Sequence, residues 1–262
     1  MNLFEYMEVA QDEKPLDRIA VDGGFCSIFR TIACVGDSLS SGEFESKNAD
    51  GTKGYHDFYE YSWGQFMARS SGNTVYNFSR GGMTAEKYMT TFAESRGFWD
   101  KEKAAQAYII ALGVNDIVHC EIGSLEDVDL NDWRNNKPTF IGYYAQIIQR
   151  YKEIQPRAKF FFVTMPRTGN EKDEVKGKVR DLLEGLTKMF NRSYLIDLYT
   201  YAPVYDEAFQ KKYFLGHMNA TGYILTARII ESYIDFIVRS NLEDFNQVGF
   251  IGTDLYYNPE EE

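Results

Sequence analysis

The chain has 262 residues, 44% hydrophobic, 26% charged and 16% aromatic, with only 6 prolines, a profile that builds a core without disulfide or metal staples. Its 28 basic and 39 acidic residues leave a formal charge of −11, which repels nucleic acid and anionic membranes and leaves a neutral small molecule as the expected partner. Three cysteines, Cys26, Cys34 and Cys120, are odd in number and too widely spaced for a C-x-x-C pair, so they read as free thiols rather than a disulfide framework or a zinc knuckle.

The opening MNLFEYMEVAQDEKPLDR mixes acids into its one apolar patch and has no basic-then-apolar order, so a signal peptide is not expected. No stretch approaches the roughly 18 uncharged apolar residues that a membrane span needs, and the expected location is the cytoplasm. In chain order, buried strands are predicted at Thr31 to Val35, Thr74 to Phe78, Ala107 to Leu112, Lys159 to Thr164 and Tyr194 to Ile196, all rich in β-branched or aromatic residues. Between and after them, helical spacing recurs over Phe58 to Ala68, Ala85 to Ala93, Phe140 to Glu153, Val175 to Phe190 and Ala220 to Arg239. Such alternation predicts an α/β fold, a parallel sheet with helices on both faces, because parallel strands need crossovers and helices usually make them. Residues 31–240 form the expected domain, 1–30 an N-terminal arm packing on it and 241–262 a C-terminal tail whose closing PEEE is a solvated tip. The two unassigned ends make a homodimer a reasonable expectation.

Ligands of open α/β sheets collect outside the carboxyl ends of the strands, so the residues that follow each strand are the candidates for chemistry. After the first strand comes Gly36-Asp37-Ser38-Leu39, with Ser38 either a nucleophile or a plain helix-capping residue. After the second comes Ser79-Arg80-Gly81-Gly82-Met83-Thr84, whose backbone N–H groups suit an anion while Thr84 suits an N-cap. After the third comes Gly113-Val114-Asn115-Asp116, a carboxamide donor for an oxyanion or a simple turn. A serine nucleophile needs a base, and there are three histidines. His56 and His119 read as surface or packing residues, whereas His217 precedes a long amphipathic helix, in a loop that can reach back over the strand ends.

These four blocks, in this order and each beside its predicted element, resemble the SGNH/GDSL hydrolase superfamily over roughly Thr31 to Arg239. The resemblance implies a flavodoxin-like three-layer α/β/α sandwich with a parallel five-stranded sheet and no cofactor or metal. It also implies Ser38 as nucleophile, His217 as base, and an oxyanion hole from the Ser38 N–H, the Gly82 N–H and the Asn115 side chain.

One position departs from the pattern: the family's DxxH places an acid three residues before the histidine, and here that residue is Phe214. Either a backbone carbonyl orients His217 in a Ser-His dyad, or a carboxylate such as Asp206 or Glu207 reaches it. Asp37 and Asp197 read as structural, and Asn219 as a fixture of the histidine loop. Tyr55, Tyr59, Tyr61 and Trp63 are candidates for a platform under a sugar ring, although core packing explains aromatics equally well. The expected activity is hydrolysis of a small ester, an acetyl ester of a saccharide or another short acyl ester, through an acyl-enzyme. A noncatalytic binding protein with the same pocket and a flavin-type cofactor protein are the alternatives.

Overall fold

The computed structural model describes residues 3–256, so the PEEE run lies outside the described residues. Among the described residues nine strands fall in chain order: β1 (Thr31–Gly36), a hairpin of β2 (Glu43–Lys47) and β3 (Lys53–Asp57), then β4 (Thr74–Ser79), β5 (Ala107–Ala111), β6 (Lys159–Val163), β7 (Ser193–Ile196), and two two-residue strands, β8 (Phe214–Leu215) and β9 (His217–Met218). The main sheet is five-stranded, in the order β4-β1-β5-β6-β7, and every pairing in it is parallel. All five predicted strands are therefore present.

Alternate residues of β1 enter different cores. Ala33 and Val35 join one buried cluster and Ile32 and Cys34 the other, so both faces are covered and the strand reads as an unbroken apolar run. The first cluster packs beneath the helical run 85–95 and helices Phe140–Ile154 and Lys172–Met189; the second packs beneath Trp63–Ser71 and Ala220–Ser240. This is the three-layer sandwich. Helix boundaries follow local chemistry: Ser62, Thr139 and Asn219 each accept a backbone N–H as N-caps. Predicted helix 58–68 starts later, because Tyr59–Tyr61 forms a 3-10 turn before the Ser62 cap.

Buried tyrosine hydroxyls find partners, as burial demands: Tyr144 Oη donates to the Ile110 carbonyl at 2.9 Å, and the Tyr88 and Tyr151 hydroxyls lie 2.6 Å apart. Residues of the arm lie along the last long helix, with the Glu13 carboxylate 2.6 Å from Arg239 and the Phe25 N–H donating to Asp235 at 2.9 Å. Cys26 and Cys34 are buried free thiols, and Cys120 is a half-buried one.

After β1 the chain crosses to β4 on one side, then returns past β1 to β5 on the other. The carboxyl ends of β1 and β5 therefore flank the point where the winding reverses, and a crevice forms there.

Candidate active site

Asp37 caps the single turn Ser38–Ser41: its carboxylate accepts the Leu39 N–H at 3.0 Å, and its carbonyl accepts those of Ser40 and Ser41. Ser38 is thus the first residue of the turn and half-buried, and neither its N–H nor its Oγ has a hydrogen-bond partner among the described residues. Its carbonyl lies 3.3 Å from Ser41 Oγ and 3.4 Å from Tyr223 Oη, and those hydroxyls direct their single protons to the nearer Asp57 carboxylate and Glu43 carbonyl, each at 2.7 Å, which ties the turn to its surroundings. A free hydroxyl on a pinned backbone is what a nucleophile needs.

The glycine block meets this turn. Gly82 has a φ of +67°, a conformation that glycine adopts without strain, and its N–H makes no hydrogen bond among the described residues. Thr84 caps the following helical run by accepting the Lys87 N–H at 3.2 Å, as its position predicted, and the run contains a π-turn at Tyr88–Phe92. Asp116 ties the third block to the second by accepting the Ala85 N–H at 2.8 Å. Asn115 Nδ2 donates to the Met83 carbonyl at 3.0 Å and, more weakly, to Asp37 Oδ2 at 3.4 Å. An acceptor entering here competes with the longer of those two bonds.

Burial pushes the Asp37 carboxyl up to about 7, with Asp116 and Glu43 adding to the rise and the Leu39 N–H opposing it. Burial likewise lifts Asp116 to about 6, against the Ala85 N–H bond. A carboxyl raised on folding stabilises the native state most when protonated, and that contribution is lost as the pH climbs through its folded value. We expect the stability of Asp37→Asn relative to the native chain to rise by a few kcal/mol as the pH goes from about 5 to about 8. Urea unfolding at both pH values measures this, and a difference that stays constant with pH contradicts it.

His217 sits in β9, and burial lowers its imidazole below the ordinary value; Lys53 pushes the same way, while Glu45 and Asp57 oppose. Its Nε2 lies 3.2 Å from Glu43 Oε1, and its Nδ1 is buried without a partner. Tyr55 meets the ring edge-on, with centroids 5.2 Å apart. His56 is half-buried in the β2–β3 hairpin and His119 is exposed, whereas His217 lies against Glu43 and Tyr55 of that hairpin.

Of the two arrangements weighed at His217, a carboxylate does lie at the ring, but it is neither Asp206 nor Glu207. Asp206 is used in capping Glu207–Tyr213 through the Phe209 N–H at 2.9 Å, Glu207 pairs with Lys211 at 2.7 Å, and no backbone carbonyl accepts from the ring among the described residues. The carboxylate at the histidine is Glu43, which sequence reasoning missed because it follows the serine block rather than preceding the histidine. Phe214 packs on Tyr205 and Phe209 instead.

The remaining expectations sort by burial. Asp197 is structural: it caps Leu198–Tyr201 and meets Arg180 at 2.9 Å. Asn219 caps the last long helix and donates to the Lys212 carbonyl at 2.9 Å, which fixes the histidine loop. Of the four platform aromatics, Trp63 is a core residue and Tyr59 is tied by its hydroxyl to the Val75 carbonyl, whereas Tyr55 and Tyr61 are exposed.

A cleft of about 360 Å³ runs along the strand ends from Asp37 and Leu39 to Gly216, walled by Leu112, Val114, Ile117, Met165, Tyr205 and Phe214. A larger hollow of about 490 Å³ lies at the opposite end of the sheet, but its Arg157 and Lys159 are spent on backbone carbonyls of the C-terminal segment. Among the described residues no group of three or more His, Cys, Asp or Glu side chains is placed to hold a metal ion, and no helix is long and apolar enough to cross a membrane.

Known proteins share this fold. Among solved structures, the chain is similar to a carbohydrate esterase family 2 enzyme of Corynascus thermophilus (17% identity, TM-score 0.54, covering 80% of this chain and 66% of that one). It is similar to a family two carbohydrate esterase of Clostridium thermocellum in complex with cellohexaose (16%, TM-score 0.54, 82% and 65%) and to an acetyl xylan esterase (17%, TM-score 0.51, 78% and 99%). The chain thus spans about two thirds of the two family 2 enzymes, and at these identities the likeness is one of fold. No curated protein sequence matches significantly. The family model for the GDSL-like lipase/acylhydrolase family matches residues 34–225, most of the chain and all four blocks, and the protein belongs to that family.

Proposed function

We propose that the protein is a serine esterase that cleaves a small acyl ester through an acyl-enzyme, with Ser38 as nucleophile and His217 as general base. The observation that carries this reading is the pinned Ser38 turn with its free hydroxyl, set at the sheet's reversal point with the glycine block, Asn115 and the histidine loop around it. His217 takes the proton from Ser38 as the oxygen attacks the ester carbonyl, and later gives it to the departing alcohol. During the attack negative charge develops on the carbonyl oxygen, where the unbonded N–H groups of Ser38 and Gly82, with the Asn115 amide, serve as donors, and it is lost again as the alcohol departs. Water activated by the same histidine releases the acid.

For the substrate we propose an acetyl ester of a saccharide. The fold neighbours named carbohydrate esterase and acetyl xylan esterase support it, as does the exposed ring of Tyr55 beside His217, a surface on which a sugar ring can lie. Hydrolysis of p-nitrophenyl acetate, butyrate and octanoate, together with acetate release from acetylated xylan, tests this. The acetate ester is expected to give the highest kcat/KM.

The apolar cleft of about 360 Å³ favours a second reading, a longer acyl chain, since each buried methylene adds about 0.8 kcal/mol. Octanoate surpassing acetate, with no release from xylan, would select it.

A further inference from the structure

Two recesses flank the serine turn. The apolar cleft is walled by residues that follow β5 and β6, a hollow of about 380 Å³ is walled by residues that follow β4, and β1, with Ser38 beyond its end, runs between β4 and β5 in the sheet. Arg80, Gly82, Met83, Lys87, Phe92 and Ser95 line this hollow, so the glycine assigned above to the oxyanion is also part of its wall.

The charge of the hollow is opposite to that of the chain, which carries a formal −11. Among the described residues the arginines bond carboxylates or backbone carbonyls, with two exceptions, Arg80 and Arg96. Both of these lie on the ring of Phe92, their guanidinium carbons 5.4 and 5.8 Å from its centroid. Arg80 is exposed, and stacking on a buried ring holds its planar group in place while leaving its N–H donors unused. Lys87 also has no ion pair among the described residues, and its ammonium reaches only the Gly82 carbonyl, at 3.5 Å. The neighbouring carboxylates are turned to other groups. Glu94 lies 3.9 Å from Arg150, Glu86 bears on Asp116 and Tyr143, and Glu43, which overlies Gly81, lies 3.2 Å from His217 Nε2. A guanidinium with a free edge and an ammonium beside it match a carboxylate, which accepts from both.

Resting on the Ser-His reading above, we propose that this hollow binds a carboxylate carried by the alcohol portion of the substrate, so that the ester is one of an acidic saccharide and Arg80 and Lys87 are the residues that select it. An ester brings an acyl arm and an alcohol arm to the serine. The apolar cleft suits the acyl arm, which leaves the charged hollow on the other side to the alcohol. Net charge alone favours a neutral substrate, but these cations stand where the substrate docks. Because they meet a group remote from the reacting carbonyl, they hold ground state and transition state alike, and their effect falls on KM rather than kcat.

Acetylated oligogalacturonide and its carboxyl-reduced counterpart, matched in length and acetyl content, test this with the full chain. The charged substrate is expected to show a kcat/KM about tenfold higher, mainly through a lower KM, the low end for a charge-assisted hydrogen bond because the hollow is open to water. Arg80→Ala and Lys87→Gln should each shrink that ratio, the double variant should bring it to one, and Arg80→Glu should reverse it. A second arm needs no turnover: calorimetric titration with the unacetylated oligogalacturonide should show binding about tenfold weaker in the double variant than in the native chain. Equal kcat/KM for the two substrates in the native chain, or a preference for charge that survives in the double variant, overturns the proposal. Full activity in Ser38→Ala sinks the Ser-His reading instead, and the titration still decides whether the hollow holds a carboxylate.

Discussion

Ser38→Ala is expected to lower kcat for p-nitrophenyl acetate by about 10⁴ to 10⁶-fold, the range in which loss of a serine nucleophile falls when the rest of the site survives. The fold gives a reason to trust that loss as chemical. Ser38 Oγ bonds nothing among the described residues, and the turn around it is held by Asp37, Ser41 and Tyr223, so the alanine variant should unfold within about 0.5 kcal/mol of the native chain. Residual turnover near background then reflects binding and the oxyanion donors acting without a nucleophile. Unchanged kcat would remove Ser38 from the chemistry.

His217→Ala should cost kcat a comparable factor, and the Ser38→Ala/His217→Ala pair should be no worse than either single variant, because residues that act as one unit fail together. Additive losses would mean that the two act in separate steps. Unlike the serine variant, this one should also lose stability, since it leaves the half-buried Glu43 carboxylate facing an empty site. Chemical denaturation of the two single variants, run beside the kinetics, separates the effects.

Much of this site could be read from the sequence because its parts are local. Ser38 and Asn115 follow strands that are apolar on both faces, Gly82 follows the edge strand β4, and a parallel sheet places all such ends along one edge. The β2–β3 hairpin was not foreseen, since Glu43–Lys47 and Lys53–Asp57 are short and largely polar and bury little. Their one signal was Asp50-Gly51, a dipeptide that often turns hairpins, in the Asn48–Thr52 reversal. That hairpin matters because β2 begins with Glu43. The pairing of Glu43 with His217 joins residues far apart in the chain, and no local pattern encodes it. Sequence spacing therefore led to Asp206 and Glu207, which are nearer in number and engaged elsewhere. The platform aromatics illustrate the same limit: Tyr55 and Trp63 look alike in composition, and only packing separates an exposed ring beside the histidine from a core residue.

Covalent labelling tests the central claim most directly. A fluorophosphonate reacts with a serine only where a base activates it and donors stabilise the developing charge, so it reports the whole arrangement in one adduct. Intact-mass and peptide analysis of the treated protein should show a single addition on the peptide carrying Ser38, absent from Ser38→Ala and greatly slowed in His217→Ala. An adduct on a different serine, or ester hydrolysis by a protein whose Ser38 stays unlabelled, would contradict the account.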